Sequence, residues 1–86
     1  MRHRFILSSD AQRDLKKLDP HVRFLVEKKL RRFLAVKDPL DFAEPLVNLP
    51  PATHRFRIGK IRIKFFRREK IFIITSIEPR DKVYRR

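Results

Sequence analysis

Residues 54–66 read HRFRIGKIRIKFF, and this stretch contains the one glycine of the chain. Cationic and apolar residues alternate on both sides of that glycine, which is the pattern of two strands with one buried face and one exposed face. Because only Gly59 and Lys60 separate the two runs, the stretch predicts a β-hairpin whose two-residue turn uses glycine for a positive φ. Four cations then share the exposed face: Arg55, Arg57, Arg62 and Lys64.

The charge of the whole chain points in the same direction as the hairpin. The formal net charge is +13 with a pI near 11.3, and residues 52–86 hold 12 basic against 3 acidic residues. Like charges placed side by side on a sheet repel one another, so an anionic partner is expected there, such as nucleic acid or an acidic protein. Membrane binding would need a basic amphipathic helix, whereas here the hairpin carries the charge, so no membrane partner is expected.

Length and composition indicate one small domain over residues 1–86. The chain has no cysteine, which excludes disulfides and thiolate zinc sites and favours a reducing cytoplasm. The apolar run at residues 5–7 is too short for a signal peptide or a membrane span.

The N-terminal half predicts one strand and two helices. Residues 4–8 (RFILS) read as a strand, and Ser9 with Gln12 forms a capping-box pattern that begins the first helix. Asp19 and Pro20 end that helix and begin a second. Phe24 should point away from the apolar stripe of the second helix, so it is either an isolated surface residue or part of a partner-binding face. That stripe is formed by Val22, Leu25, Val26, Leu30, Phe33 and Leu34.

The C-terminal half predicts a sheet. Residues 35–53 contain four prolines and read as irregular, and an irregular segment of this length tends to be functional. After the hairpin comes a turn at residues 67–70, and the run IFIITSI is typical of a central strand covered on both sides. The order β-α-α-β-β-β predicts an α+β fold, with an antiparallel sheet and the two N-terminal helices packed on one of its faces.

Few residues in the sequence could carry chemistry. No metal-ligand spacing or nucleophile motif is present, so no metal and no cofactor are expected, and His54 either joins the basic face or is a satisfied histidine at a strand edge. Cations and a tyrosine can nevertheless cleave RNA, because the 2′-OH of the substrate attacks the adjacent phosphorus and the protein stabilises the developing charge. Arginine suits phosphate but is a poor base, so the residues alone favour binding over catalysis.

Two C-terminal motifs add a family resemblance. RFRIGKIR (residues 55–62), followed by a strand and then IEPRDKVY (residues 77–84), resembles the RelE/ParE superfamily of toxins from type II toxin–antitoxin systems. The opening FILSSDAQRDLKKL (residues 5–18) is similar to the start of the same family, so the resemblance covers essentially the whole chain. The motif forms look closest to the archaeal-type RelE proteins, and they imply a RelE-like microbial ribonuclease fold.

The RelE branch of this family implies a metal-independent endoribonuclease that enters the ribosomal A site and cuts the mRNA codon there. By matching positions, Arg62 is expected to stabilise the phosphate, and Arg80 to contact phosphate or the leaving group. Tyr84 is expected to stack on or orient the nucleobase of the substrate. Arg55 and Arg57 fill positions where RelE toxins often carry lysines, one of them a proposed base. The expected RNA contacts are Arg55, Arg57, Lys60, Lys64 and Arg85.

The resemblance also implies a cognate antitoxin, which we expect to be acidic because the chain is so basic. Two alternatives stay open. A ParE-like protein would inhibit DNA gyrase, although that branch generally lacks the cationic set with Tyr84. A catalytically weak or inactive binding protein is the other alternative, because Ile61 and Pro79 stand where the family often has tyrosine and histidine. Glu78 is expected to form a turn contact or salt bridge, or else to act as a base.

Overall fold

A computed structural model describes residues 3–79 of the chain. The two helices are α1 (Ser9–Lys17) and α2 (Pro20–Ala35), and a short 3-10 helix follows at Pro39–Phe42. The strands of the described part are β1 (Arg4–Leu7), β2 (Ala43–Pro45), β3 (His54–Ile58), β4 (Ile61–Arg68) and β5 (Ile71–Pro79).

The strands form one sheet in the order β1-β5-β4-β3-β2. The predicted hairpin is present as β3 and β4, and β5 lies between β1 and β4 as a central strand. The expectation of a purely antiparallel sheet is wrong in one respect, because β1 pairs with β5 in parallel, with Arg4 opposite Ile71. Hairpins enforce antiparallel pairing, but two helices follow β1, so its direction is not set by a tight turn.

Both helices lie on one face of the sheet, as predicted, and the core forms between them and the sheet. The side chains of Phe56, Phe65 and Phe72 are fully buried there, and the rings of Phe56 and Phe65 are stacked with centroids 4.5 Å apart. The rest of the buried cluster consists of Ala11, Val26, Leu30, Leu34, Ile61, Ile63, Ile74 and Ile77. The second face of β5 is only partly buried, so the prediction of full cover on both sides is too strong.

The predicted stripe of α2 is confirmed at its centre and wrong at Leu25. Val26 and Leu30 are buried, whereas the side chain of Leu25 is 41% exposed. Neighbouring helical positions differ by about 100°, which places Leu25 at the border of a face centred on Val26. Phe24 points outward, as expected, and is 55% exposed.

The start of α1 differs by one residue from the predicted capping box. Ser8, rather than Ser9, is the N-cap, and its Oγ accepts a hydrogen bond from the backbone N–H of Ala11 at 3.1 Å. The next contact of this helix is long-range, because Asp14 Oδ2 accepts a hydrogen bond from the backbone N–H of Ile77 at 2.9 Å. α1 therefore fixes the end of β5 beyond the point where β1 stops.

The segment predicted as irregular contains two regular elements. The 3-10 helix begins after Asp38, whose side chain accepts a hydrogen bond from the backbone N–H of Leu40, and it stacks Phe42 on Phe33 with ring centroids 4.9 Å apart. β2 follows directly and forms one edge of the sheet. Three residues are too few to show a period of two, which is why the sequence pattern did not reveal β2.

Candidate functional site

The β3–β4 hairpin carries the candidate site. Its ladder ends with Ile58 opposite Ile61, so Gly59 and Lys60 form the two-residue turn, and Gly59 has a φ of 60°. Lys60 is exposed in this turn, beyond the end of the ladder. The turn fixes the register of the two strands and so decides which side chains face one another.

The register brings the four strand cations together. Arg55 lies opposite Lys64, and Arg57 lies opposite Arg62. The alternate positions of the two strands hold Phe56 and the other buried apolar residues, so the four cations project from the face that is turned away from the core. We call the group of Arg55, Arg57, Arg62 and Lys64 the cationic face.

One carboxylate on β2 neutralises part of the cationic face. Glu44 lies opposite Arg55 in the sheet, and its Oε1 accepts a hydrogen bond from Arg55 Nε at 2.9 Å. Its Oε2 lies 3.4 Å from Arg57 Nη1. The hydrogen bond from Arg55 is the main cause that lowers the pKa of Glu44 from its ordinary value, and Arg57 acts in the same direction. Glu44 therefore stays ionised beside the two arginines.

A second carboxylate neutralises the other side of the face. Glu78 lies opposite Arg62 on β5, and its Oε1 is 3.5 Å from Lys64 Nζ. Of the roles left open for Glu78, this geometry corresponds to the salt bridge. Two carboxylates thus offset half of the positive charge of the cationic face, which relieves the repulsion that the sequence pattern alone suggested.

Arg62 is the cation of this face that forms an ion pair with neither Glu44 nor Glu78. Within residues 3–79 its guanidinium forms no ion pair, and its buried Nε has no hydrogen-bond partner. Ser76, across from Lys64 on β5, likewise has a buried Oγ without a partner in this part of the chain. Buried polar atoms usually form hydrogen bonds, so these two atoms stand out as unsatisfied among the described residues.

The register shift between β4 and β5 explains how Ser76 reaches this face. Lys64 lies opposite Ser76, but the next residue of β4, Phe65, lies opposite Ile74, so Thr75 is an extra residue on β5. Such a bulge changes which side chains point to each face of a strand. Beyond it, Ile77 returns to the core while Ser76 and Glu78 lie on the side of the cationic face.

Several expected site residues are not brought to the face or lie outside the described part. His54 lies on the core side of β3, with its ring stacked on Phe65 at 5.8 Å and its Nδ1 2.9 Å from Thr53 Oγ1. It is therefore a strand-edge histidine and not a member of the cationic face. Arg80, Tyr84 and Arg85 lie outside the described residues 3–79.

Sequence reasoning missed Glu44 and Ser76. Glu44 stands in a segment rich in proline, where no periodic pattern marks a strand, and the approach of β2 to β3 is a long-range event. Ser76 comes to this face only because of the bulge. The one available signal for Glu44 was the charge of its segment, since residues 35–53 hold three acidic residues against one lysine in a strongly basic chain.

The arrangement is suited to binding phosphate. Guanidinium groups present several N–H donors in a fixed plane and bind phosphate with two parallel hydrogen bonds. Among residues 3–79 there is no group of three histidine, cysteine, aspartate or glutamate side chains placed to hold a metal ion. In the same part of the chain, no helix is both long and apolar enough to cross a membrane.

Comparison with known proteins supports the fold. No protein-family model and no curated protein matches the sequence. Among solved structures, the chain is similar to a chain in the crystal structure of the RelBE2 toxin–antitoxin complex from Mycobacterium tuberculosis. The TM-score is 0.80, 23% of the aligned residues are identical, and the match covers 93% of this chain and 100% of the other. The α+β fold of RelE-like toxins, which the sequence motifs indicated, is therefore confirmed.

Proposed function

We propose that this chain is the toxin of a type II toxin–antitoxin system and cleaves mRNA at the codon in the ribosomal A site. The observation that carries the proposal is Arg62, whose guanidinium forms no ion pair within residues 3–79 although it lies between two groups that are neutralised by carboxylates. The fold of the chain, which is that of RelE-like toxins, also supports the proposal. The substrate and the protein then meet in the cytoplasm, where ribosomes translate mRNA.

In the proposed reaction the substrate supplies the nucleophile. The 2′-OH of the ribose loses its proton and attacks the adjacent phosphorus in line, the bond from phosphorus to the 5′-oxygen breaks, and the 5′-oxygen gains a proton, which leaves a 2′,3′-cyclic phosphate. Arg62 contacts the non-bridging oxygens, where negative charge grows in the transition state, and Arg55 and Arg57 contact neighbouring phosphates. Arg80 and Tyr84 lie beyond the described residues. In this proposal Arg80 contacts the leaving group, and Tyr84 stacks on a nucleobase of the RNA.

The proposed partner of the toxin is an acidic antitoxin. The net charge of +13 favours association with an acidic protein, and Phe24 and Leu25 are exposed side by side on the basic helix α2. The similar chain comes from the crystal structure of a toxin–antitoxin complex. An amphipathic segment with acidic and apolar side chains would satisfy both properties of this surface.

A second candidate function is RNA binding without cleavage. It is favoured by the engagement of both carboxylates near the cationic face, since Glu44 holds two arginines and Glu78 lies 3.5 Å from Lys64 Nζ. Neither carboxylate is free to remove a proton from a 2′-OH in this arrangement. In that case the protein would bind in the ribosomal A site, or bind another RNA, without cleaving the RNA backbone.

Induction in cells that lack an antitoxin tests the proposal. The wild-type chain, Arg62→Ala and Arg68→Ala are expressed, and the 5′ ends of mRNA are mapped within minutes. Arg68 is a matched control because it lies on β4 with Arg62, on the same face and at the far end of the strand. We expect new ends inside translated codons with wild type and Arg68→Ala, and a loss on the order of 10²-fold with Arg62→Ala.

The other outcomes separate the alternatives. Growth arrest without new mRNA ends, accompanied by a block in replication, would contradict cleavage and indicate inhibition of DNA gyrase. Folded protein that binds RNA but causes neither arrest nor cleavage would indicate the second candidate function.

A further inference from the structure

The two carboxylate oxygens of Glu44 accept hydrogen bonds from two different arginines. Arg55 Nε is 2.9 Å from Oε1 and Arg57 Nη1 is 3.4 Å from Oε2, so one carboxylate bridges two side chains of the same strand. The side chain of Arg55 is 21% exposed and that of Arg57 is 46% exposed. Both guanidinium groups keep further N–H donors that Glu44 does not use.

The backbone around Glu44 holds this carboxylate in place. Ala43, Glu44 and Pro45 each pair with a residue of β3, so Glu44 is the central residue of its short strand. On one side, Phe42 stacks on Phe33 of α2. On the other side, the backbone N–H of Leu46 donates a hydrogen bond to the carbonyl of Thr53 at 2.9 Å.

We infer that Glu44 is a positioning residue, which fixes the guanidinium groups of Arg55 and Arg57 so that their remaining donors converge on the phosphates of a bound RNA. The inference rests on the proposed function, because RNA is the ligand assumed. Arginine side chains are long and flexible, so a free arginine samples many orientations. The rate of cleavage depends on how well the charged groups are oriented before the substrate binds. Glu44 restricts them in the free protein.

The same carboxylate must weaken the binding of RNA. Its negative charge offsets the positive charge of the two arginines and repels phosphate, so its removal strengthens association. It also orients the arginines, so its removal slows a reaction that depends on their placement. A positioning role therefore predicts opposite changes in affinity and in rate, whereas a passive structural role does not.

Glu44→Gln tests this, because glutamine keeps the shape of the side chain and removes its charge. The matched control is Glu69→Gln, which removes the same charge from the exposed β4–β5 turn. For each purified protein, affinity for a single-stranded RNA oligonucleotide is measured by fluorescence anisotropy. The single-turnover rate is measured on ribosomes programmed with a defined mRNA, and the Nε–H signals of arginine are recorded by NMR.

We expect Glu44→Gln to bind the oligonucleotide about threefold more tightly at physiological salt. Its cleavage rate should fall on the order of tenfold, as is usual when a supporting hydrogen bond is removed. The Nε–H signal of Arg55 should shift and exchange faster with water, while that of Arg62 stays unchanged. Glu69→Gln should resemble wild type in all three measurements.

Other results overturn the inference. An increase in both affinity and rate would mean that Glu44 only competes with the substrate. A parallel loss of both, with a lowered melting temperature, would mean a structural role. If the wild-type protein does not cleave mRNA, the proposed function fails, but the NMR and affinity measurements still test the positioning role. An unchanged Arg55 signal in Glu44→Gln would then overturn that role by itself.

Discussion

Arg57 and Arg62 lie directly opposite each other on β3 and β4, and Glu44 contacts Arg57 while neither Glu44 nor Glu78 forms an ion pair with Arg62. Two like charges in this position destabilise a sheet. A sequence selected for stability alone would place a neutral or acidic residue at position 62. This unrelieved pair fits the proposed role of Arg62 in binding RNA, for which a cost to the fold is expected.

The first prediction is that Arg62→Gln stabilises the protein and impairs its function. Removing the repulsion from Arg57 should outweigh the lost attraction to Glu78, which lies opposite on β5 but forms its ion pair with Lys64, and should raise the free energy of unfolding by up to about 1 kcal/mol, which urea denaturation measures. Affinity for single-stranded RNA should fall, and the slope of log affinity against log salt should decrease by about 0.7. Arg55→Gln serves as the comparison, because it breaks the contact with Glu44 and should not be stabilising. Equal stability changes in the two variants would contradict this account.

The second prediction concerns pH. Because Arg55 and Arg57 lower the pKa of Glu44 from an ordinary value of 4.5, the ionised carboxylate favours the folded state. Its contribution is present above pH 4.5 and is lost as the pH falls through the lower pKa of the folded state. The difference in the free energy of unfolding between wild type and Glu44→Gln should stay constant from pH 7 to about pH 5 and shrink below pH 4.5.

Urea denaturation at several pH values measures this difference. Glu69→Gln is the control, since Glu69 forms no side-chain ion pair within residues 3–79. A difference that grows on acidification would mean that Glu44 is not stabilised in its charged form.

The third prediction separates the core from the surface with two phenylalanines. Phe56 stands between Arg55 and Arg57 in the sequence, but its side chain is fully buried in the core. Phe56→Ala should therefore reduce the free energy of unfolding by about 3–5 kcal/mol. Phe24→Ala should change it by less than about 0.5 kcal/mol, because that ring is 55% exposed. Thermal and urea denaturation check both values. A large loss for Phe24→Ala would mean that this ring stabilises the domain and would weaken its assignment to a partner surface.

The fold could be predicted wherever the pattern is local. Alternation of charge and apolar residues gave β3, β4 and their turn, and helical spacing gave α1 and α2. Strand direction is not local, so the parallel pairing of β1 with β5 was missed. β2 was missed because three residues ending in a proline carry no periodic signal.

Of the candidate site, only the cationic face could be predicted from the sequence. The four cations alternate with core residues in one hairpin, so their common face follows from a period of two. Their partners come from elsewhere: Glu44 from an edge strand, and Glu78 and Ser76 from the bulged end of β5. These contacts depend on the register between distant segments, and no pattern within the sequence specifies it.

The fourth prediction tests the turn that sets the hairpin register. Gly59 has a φ of 60°, and a Cβ at this position would meet no atom within 4 Å, so a substitution is opposed only by the backbone conformation. Gly59→Ala should reduce the free energy of unfolding by about 1 kcal/mol, and Gly59→Asn by less, because asparagine tolerates a left-handed conformation. Both values are measured by urea denaturation. Since neither variant changes the charge, RNA affinity should follow the fraction of folded protein. If Gly59→Ala left stability unchanged but abolished RNA binding, the glycine would serve close approach of the RNA backbone and not the turn.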